Sequence, residues 1–205
     1  MNKLLIVVLS LTLGTVPALA GMHKGQVEIS PVLGLSIPIG DFGNINDAGI
    51  AFGARGAYFI SSNSSIGLSI VHSTMDFKSQ FDVALGTVIP GAKSDFSVTE
   101  VSSDFRYYFS TESSVSPYVN GSVGIFMNRL SLTQPGSPDE TDTQSEIVFG
   151  SSFGFLFRGQ GSDAGFLEAR IINNTYDFEG ALPGSLKYLS VRGGITFFLG
   201  GDASP

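Results

Sequence analysis

Apolar and polar positions alternate along most of this chain with a period of two, as they do in a strand whose two faces meet unlike surroundings. In 145–158 the odd positions are Ile147, Phe149, Ser151, Phe153, Phe155 and Phe157, and the even ones Glu146, Val148, Gly150, Ser152, Gly154, Leu156 and Arg158. In 117–130, Val119, Val123, Ile125 and Met127 stand against Tyr118, Asn120, Ser122 and Asn128. In 187–199, Leu189, Val191, Ile195, Phe197 and Leu199 stand against Tyr188, Ser190, Arg192 and Thr196. Eight such segments are expected, near 26–37, 49–60, 65–75, 97–109, 117–130, 145–158, 164–176 and 187–199. Each is close to the ~9–11 residues that a tilted membrane strand needs. The connections are short at 61–64, 110–116 and 159–163, and long and polar at 38–48, 76–96, 131–144 and 177–186. That asymmetry predicts an all-β, eight-stranded antiparallel up-and-down transmembrane β-barrel with both ends on the short-turn side.

Charge placement sets which face points outward. The shared parity sends Glu28, Arg55, Glu100, Asp104, Arg106, Glu146, Arg158, Glu168, Arg170 and Arg192 to the polar face, a balanced set holding five of the six arginines. A soluble core would not hold ten ionisable groups, since an unpaired buried charge costs several kcal/mol. A water-facing sheet could hold them, but the opposite face, dense in Phe, Ile and Leu, would then need a second layer, which only a sandwich of two such sheets would supply. The lipid-facing reading is favoured. An eight-stranded barrel is just wide enough for side chains to fill, so the ten charges, with Tyr108, Tyr118 and Phe198, predict a closed interior held by Arg–carboxylate pairs. Two aromatic girdles are expected, Tyr58, Tyr107, Phe109, Phe157 and Phe197 on the turn side and Phe77, Phe96, Phe149, Tyr176 and Phe178 on the loop side.

Composition narrows the class. The 205 residues include 26 Gly and no Cys, and only 14% are charged, against 42% hydrophobic. Without Cys there is no disulfide frame and no thiolate metal site. A net charge of −7 speaks against nucleic acid. Residues 1–20 have Lys3, an apolar run from Leu4 to Leu13 and the ending Ala18-Leu19-Ala20, the layout of a secretory signal peptide. The expected division is a signal peptide at 1–20, a barrel at 21–200 and a short periplasmic tail at 201–205.

Phe105-Arg106-Tyr107-Tyr108-Phe109, a short turn, and Pro117-Tyr118-Val119-Asn120-Gly121-Ser122-Val123-Gly124 form a hairpin similar to the central hairpin of the OmpA/OmpX/OmpW-like superfamily of small outer-membrane barrels. The last strand, with Arg192, Gly194, Phe197 and Leu199, looks like the C-terminal signal read by the barrel-assembly machinery, although six residues follow it. The resemblance implies the outer membrane of a Gram-negative-type bacterium, with lipid bilayer and lipopolysaccharide as surroundings, and a monomer. No periplasmic peptidoglycan-binding domain is expected in the six residues after Leu199.

Function is less constrained, because one scaffold serves many roles. The long loops carry Asp41, Asp47, Asp76, Asp82, Asp95, Asp139, Glu140, Asp142, Asp177 and Glu179 against Lys78, Lys93 and Lys187. A structural or surface-interaction role through these acids is the first reading, with an extracellular partner or a small hydrophobic ligand as candidates. A narrow channel for small or hydrophobic solutes, in which the internal pairs exchange, is the second. A lipid A hydrolase is the remote third: His72, Thr74 and Asp76 share a face, but Ser73 points the other way and cannot pair with His72. No catalytic residue, metal or cofactor is expected.

Overall fold

The computed structural model describes residues 22–78, 93–133, 140–159, 163–174 and 187–200. The expected signal peptide and the tail at 201–205 lie outside them. The strands are β1 (Val27–Ile39), β2 (Gly49–Phe59), β3 (Ser64–Asp76), β4 (Lys93–Tyr108), β5 (Val115–Thr133), β6 (Glu140–Arg158), β7 (Asp163–Asn174) and β8 (Lys187–Leu199), with a short helix α1 (Asp41–Ile45) between β1 and β2. Each strand pairs antiparallel with its neighbours in sequence, and β8 pairs with β1, so the sheet closes into a barrel. Closure satisfies the backbone without an exposed edge, which a strand crossing lipid requires.

The alternation seen in the sequence has its physical cause here. On β1 the outward residues Val27, Ile29, Leu33, Leu35 and Ile39 are exposed, while Glu28, Ser30, Val32 and Ser36 are buried. The same inversion holds on β5, where Val119, Val123, Ile125 and Met127 are exposed and Tyr118, Asn120, Phe126 and Asn128 are buried. An apolar outside over a polar inside stabilises the chain only where the surroundings are hydrocarbon.

Two expectations about the loops are corrected. β3 ends at Asp76, β4 begins at Lys93, β5 runs to Thr133 and β6 begins at Glu140, so strands take both ends of the expected loop 76–96 and both ends of 131–144. Asp76, Asp95, Glu140 and Asp142 therefore sit on strands, with Asp76 directly opposite Asp95. The expected loop 38–48 contains α1, entered through Gly40 in the left-handed region at φ 65°, where a side chain would be strained. The helix carries Phe42 into the barrel mouth, edge-on to Phe96 at 5.3 Å. Its loop is pinned to the end of β3 by the bridge between Asn46 and Phe77, by Asp47 N–H donating to the Asp76 carbonyl at 2.8 Å, and by Lys78 Nζ donating to the Gly43 carbonyl at 2.5 Å. The loop-side girdle is corrected as well. Phe77 and Phe96 are 5% and 4% exposed and face the interior, Phe149 faces outward, and Tyr176 and Phe178 lie outside the described residues. On the turn side Tyr58, Tyr107, Phe109 and Phe197 are exposed, and Phe157 is half-exposed.

The closing seam has a gap. β1 and β8 keep one register from Val27↔Leu199 to Ile39↔Lys187, but the ladder is interrupted between Ile29↔Phe197 and Leu33↔Gly193. The Pro31 carbonyl faces β8, for it would lie 2.1 Å from a Cβ on Gly194. The nitrogen of the same residue points the same way in an antiparallel strand, and proline has no N–H to give. Inside the gap the Ser30 and Thr196 hydroxyls meet at 2.8 Å. Pro31→Val supplies the missing donor and is expected to raise folding stability by about 1 kcal/mol, read as a higher urea midpoint for loss of the folded gel mobility.

Candidate functional site

The ten charged residues of the polar face all take inward positions. Nine are at most 6% exposed, and Glu146, opposite Phe126 toward the loop end, is half-buried. Eight of them assemble into two groups at mid-barrel. In the first, Glu28 of β1 accepts from Arg106 Nη1 at 2.9 and 3.0 Å and forms an ion pair with Arg55, whose Nε lies 3.0 Å from the carboxylate. Arg55 reaches on to Glu168 of β7 at 3.5 Å. Neutral donors complete the acids: Tyr108 and Ser30 donate to Glu28 at 3.2 and 3.1 Å, and Tyr118 donates to Glu168 at 3.0 Å. The Arg55 guanidinium lies 3.7 Å over the Phe166 ring, a favourable cation–π contact when desolvated.

In the second group Glu100 of β4 joins Arg170 and Arg192, the latter at 2.8 Å, and Arg170 also reaches Asp104 at 3.2 Å. Ser69 donates to Asp104, and Asn120 does so at 3.1 Å. Arg192 Nε donates to Ser190 at 2.8 Å, and Arg170 Nη2 to Ser122 at 2.6 Å. Each group holds two carboxylates and two guanidiniums, so each is neutral by itself, as low-dielectric surroundings demand. Arg158 lies apart at the turn end, donating to the Ser113 carbonyl. The neutral donors escape a search for charges. Their inward parity was the signal available, since Ser69, Tyr108, Tyr118 and Asn120 occupy the same face as the ions they serve.

Apolar layers lie on either side of this polar section. On the turn side Phe59, Tyr108, Tyr118, Leu156 and Phe166 pack together with Met22 and Phe198. On the loop side Phe42 joins Met75, Phe96, Val98, Phe126 and Tyr188. Between the two charged groups is a cavity of about 10 Å³, bordered by Arg55, Asp104, Arg106, Asn120, Glu168 and Arg192, room for about one water.

His72 faces outward beside Phe52, and its Nδ1 is 2.9 Å from the Thr99 hydroxyl. Ser73 is buried inside, 3.0 Å from Ser36. The structure thus gives His72 a hydroxyl neighbour from the next strand that the linear sequence did not suggest. Of the acids assigned to loops, Asp47, Asp76 and Asp95 are exposed. Asp82, Asp139, Asp177 and Glu179 lie outside the described residues.

No family model and no curated protein matches this sequence. Among solved structures it is similar to Ail, the attachment invasion locus protein of Yersinia pestis, in complex with the heparin analogue sucrose octasulfate, at TM-score 0.60 and 15% identity over 86% of this chain and 100% of that one. OprG from Pseudomonas aeruginosa gives TM-score 0.60 at 13% identity over 88% and 99%. Neisserial surface protein A gives 0.55 at 15% over 85% and 97%. The chain has the fold of the small eight-stranded outer-membrane barrels. At such low identity the likeness lies in architecture: one up-and-down sheet, closed once, matched over nearly the full length of each neighbour.

Proposed function

We propose that this barrel is a closed, non-enzymatic outer-membrane protein with a structural or surface-interaction role, exercised at its acidic loop end. The observation that carries the reading is the filling of the interior, two neutral ion groups between two apolar layers. An ion crossing it would have to part buried charge pairs and then pass Phe126, Phe96 and Phe42 without water, each step costly. What remains available is the outside. β4, β5 and β6, with 16, 19 and 19 residues, outrun the 11–13 of the other strands. Past Met127 the outward positions of β5 turn polar, as those of its neighbours already are at Thr99 and Ser145 opposite Met127, and β5 continues for six residues, about 20 Å along the strand. This sheet, with the acids around it, is a platform beyond the bilayer. Ail is named with a polyanion; a surface with ten acids against three lysines suits a cationic partner instead. Lipopolysaccharide surrounds the barrel in this reading, and the assembly machinery meets the last strand through Arg192, Gly194, Phe197 and Leu199.

The test is conductance of the refolded mature protein in a planar bilayer, with insertion checked by heat-modifiable gel mobility. Silence from an inserted barrel is expected. Discrete current steps would sink the closed-interior reading.

One observation favours a narrow channel as second reading. Glu168 lies directly opposite Arg192 on the adjoining strand, and Asp104 lies two residues from Arg106 on the same face, yet each bonds across the barrel instead. Exchange to these wall-side pairs would draw the bridging side chains out of the lumen. Under that reading Glu168→Gln changes the current, and under the closed one it changes stability alone.

A further inference from the structure

We propose that Arg129 centres a site on the outer wall of the barrel for the phosphate group of an outer-leaflet lipid. Arg129 is the one arginine of the chain outside the inward-facing set. It is exposed, and it makes no ion pair among the described residues. Its register places it on the outside of β5, directly opposite Ser97 of β4 and Thr143 of β6, with Thr74 of β3 opposite Ser97. One row below, β5 presents Met127, followed by Ile125 and Val123, all exposed apolar residues of the lipid-facing band.

Arg129 therefore stands at the level where the outside changes from hydrocarbon contact to hydrogen-bonding groups. Directly opposite side chains on neighbouring strands have Cβ atoms about 5 Å apart, so Ser97 and Thr143 flank the base of the Arg129 side chain on both sides, with their hydroxyls within reach of a ligand that the guanidinium holds. Ser131 and Thr141 follow one row above, opposite one another. A planar cation with hydroxyl donors on either hand matches a phosphate oxyanion, which takes charge-assisted bonds from arginine and further bonds from hydroxyls. Asp95, diagonal to Arg129 and opposite Ser131, is the nearer of two exposed acids of this neighbourhood, with Asp76 directly opposite it on the far side from Arg129. It lies toward the aqueous side, where it would repel a phosphate arriving from water more than one held at the hydrocarbon border. The geometry thus favours a phosphate carried by a lipid over a free one. The inference rests on the outer-membrane reading.

The experiment is native mass spectrometry of the full mature chain, refolded in detergent micelles and titrated with diphosphorylated lipid A, with the same lipid after enzymatic dephosphorylation, and with inorganic phosphate as competitor. Folding is first verified by heat-modifiable mobility; a chain that never acquires it overturns the barrel reading itself and the site with it. The expected result is that Arg129→Gln weakens diphosphorylated lipid A binding about tenfold, the loss of a charge-assisted hydrogen bond. Binding of the dephosphorylated lipid should be unchanged, and Lys187→Gln, at an exposed basic position on β8, should bind as the parent does. Equal affinity of parent and Arg129→Gln would overturn the site, and so would an equal loss in Lys187→Gln, the mark of a diffuse basic rim. Displacement of the lipid by millimolar inorganic phosphate would overturn the choice of a lipid-borne ligand.

Discussion

Glu28→Ala is expected to lower folding stability by about 3–5 kcal/mol, the cost of breaking a buried ion pair on one side only. Glu28 is fully buried and is the shared acceptor of Arg106 and Arg55. Among the described residues, its removal leaves Arg106 without a carboxylate inside 4 Å and Arg55 with Glu168 alone, at 3.5 Å. Water cannot replace it in quantity, since the adjoining cavity holds about one molecule. Glu168→Ala should cost less, because it removes the longer contact and leaves both arginines on Glu28. The double change Glu28→Ala with Arg106→Met should recover much of the loss, for an apolar pair of similar bulk removes the stranded cation. The chain has no Trp, so unfolding in urea is followed by far-UV circular dichroism and by gel mobility. A Glu168→Ala loss larger than that of Glu28→Ala would reject this account of which acid holds the group together.

How far the sequence discloses such a network depends on what each residue faces. Within the bilayer the two faces differ sharply, so the parity of Phe149, Phe153 and Phe155 against Ser152, Gly154 and Arg158 was readable directly. Above the bilayer both faces meet water. Thr141 and Thr143 alternate with nothing more apolar than themselves, which is why the first residues of β6 read as loop. Helix α1 has five residues, little more than one turn, too short for a period of 3.6 to show. Phe77 and Phe96 were drawn to a girdle by their position near strand ends. Their parity, shared with Ser73 and Met75 on one strand and with Val98 and Glu100 on the other, already pointed them inward. The inward position of the charges was legible for the same reason. Which arginine meets which acid was not, because that depends on how far each strand is offset from strands across the lumen, and a chain met one strand at a time does not carry that offset.

Gly194→Ala is expected to cost about 3 kcal/mol and to lower the yield of folded barrel. A Cβ at this position would lie 2.1 Å from the Pro31 carbonyl oxygen and 2.7 Å from the Phe166 ring. Neither neighbour yields easily. Pro31 is backbone at the closing seam, where the ladder is already interrupted, and Phe166 carries the Arg55 guanidinium over its ring at 3.7 Å. Strain at Gly194 therefore passes both to barrel closure and, through Phe166, to the first ion group. In the sequence Gly194 counts as one element of a C-terminal assembly signal together with Phe197, and the two explanations separate by experiment. Phe197 is an outward residue, 45% exposed, and touches lipid rather than core. Refolding into micelles, with no assembly machinery present, should fail or slow for Gly194→Ala and proceed with little change of yield for Phe197→Ala. In cells both variants should be depleted from the outer membrane, the first through packing and the second through recognition. If Gly194→Ala instead refolds in micelles as the parent does, the seam tolerates a methyl group there, and the glycine is needed for recognition rather than closure.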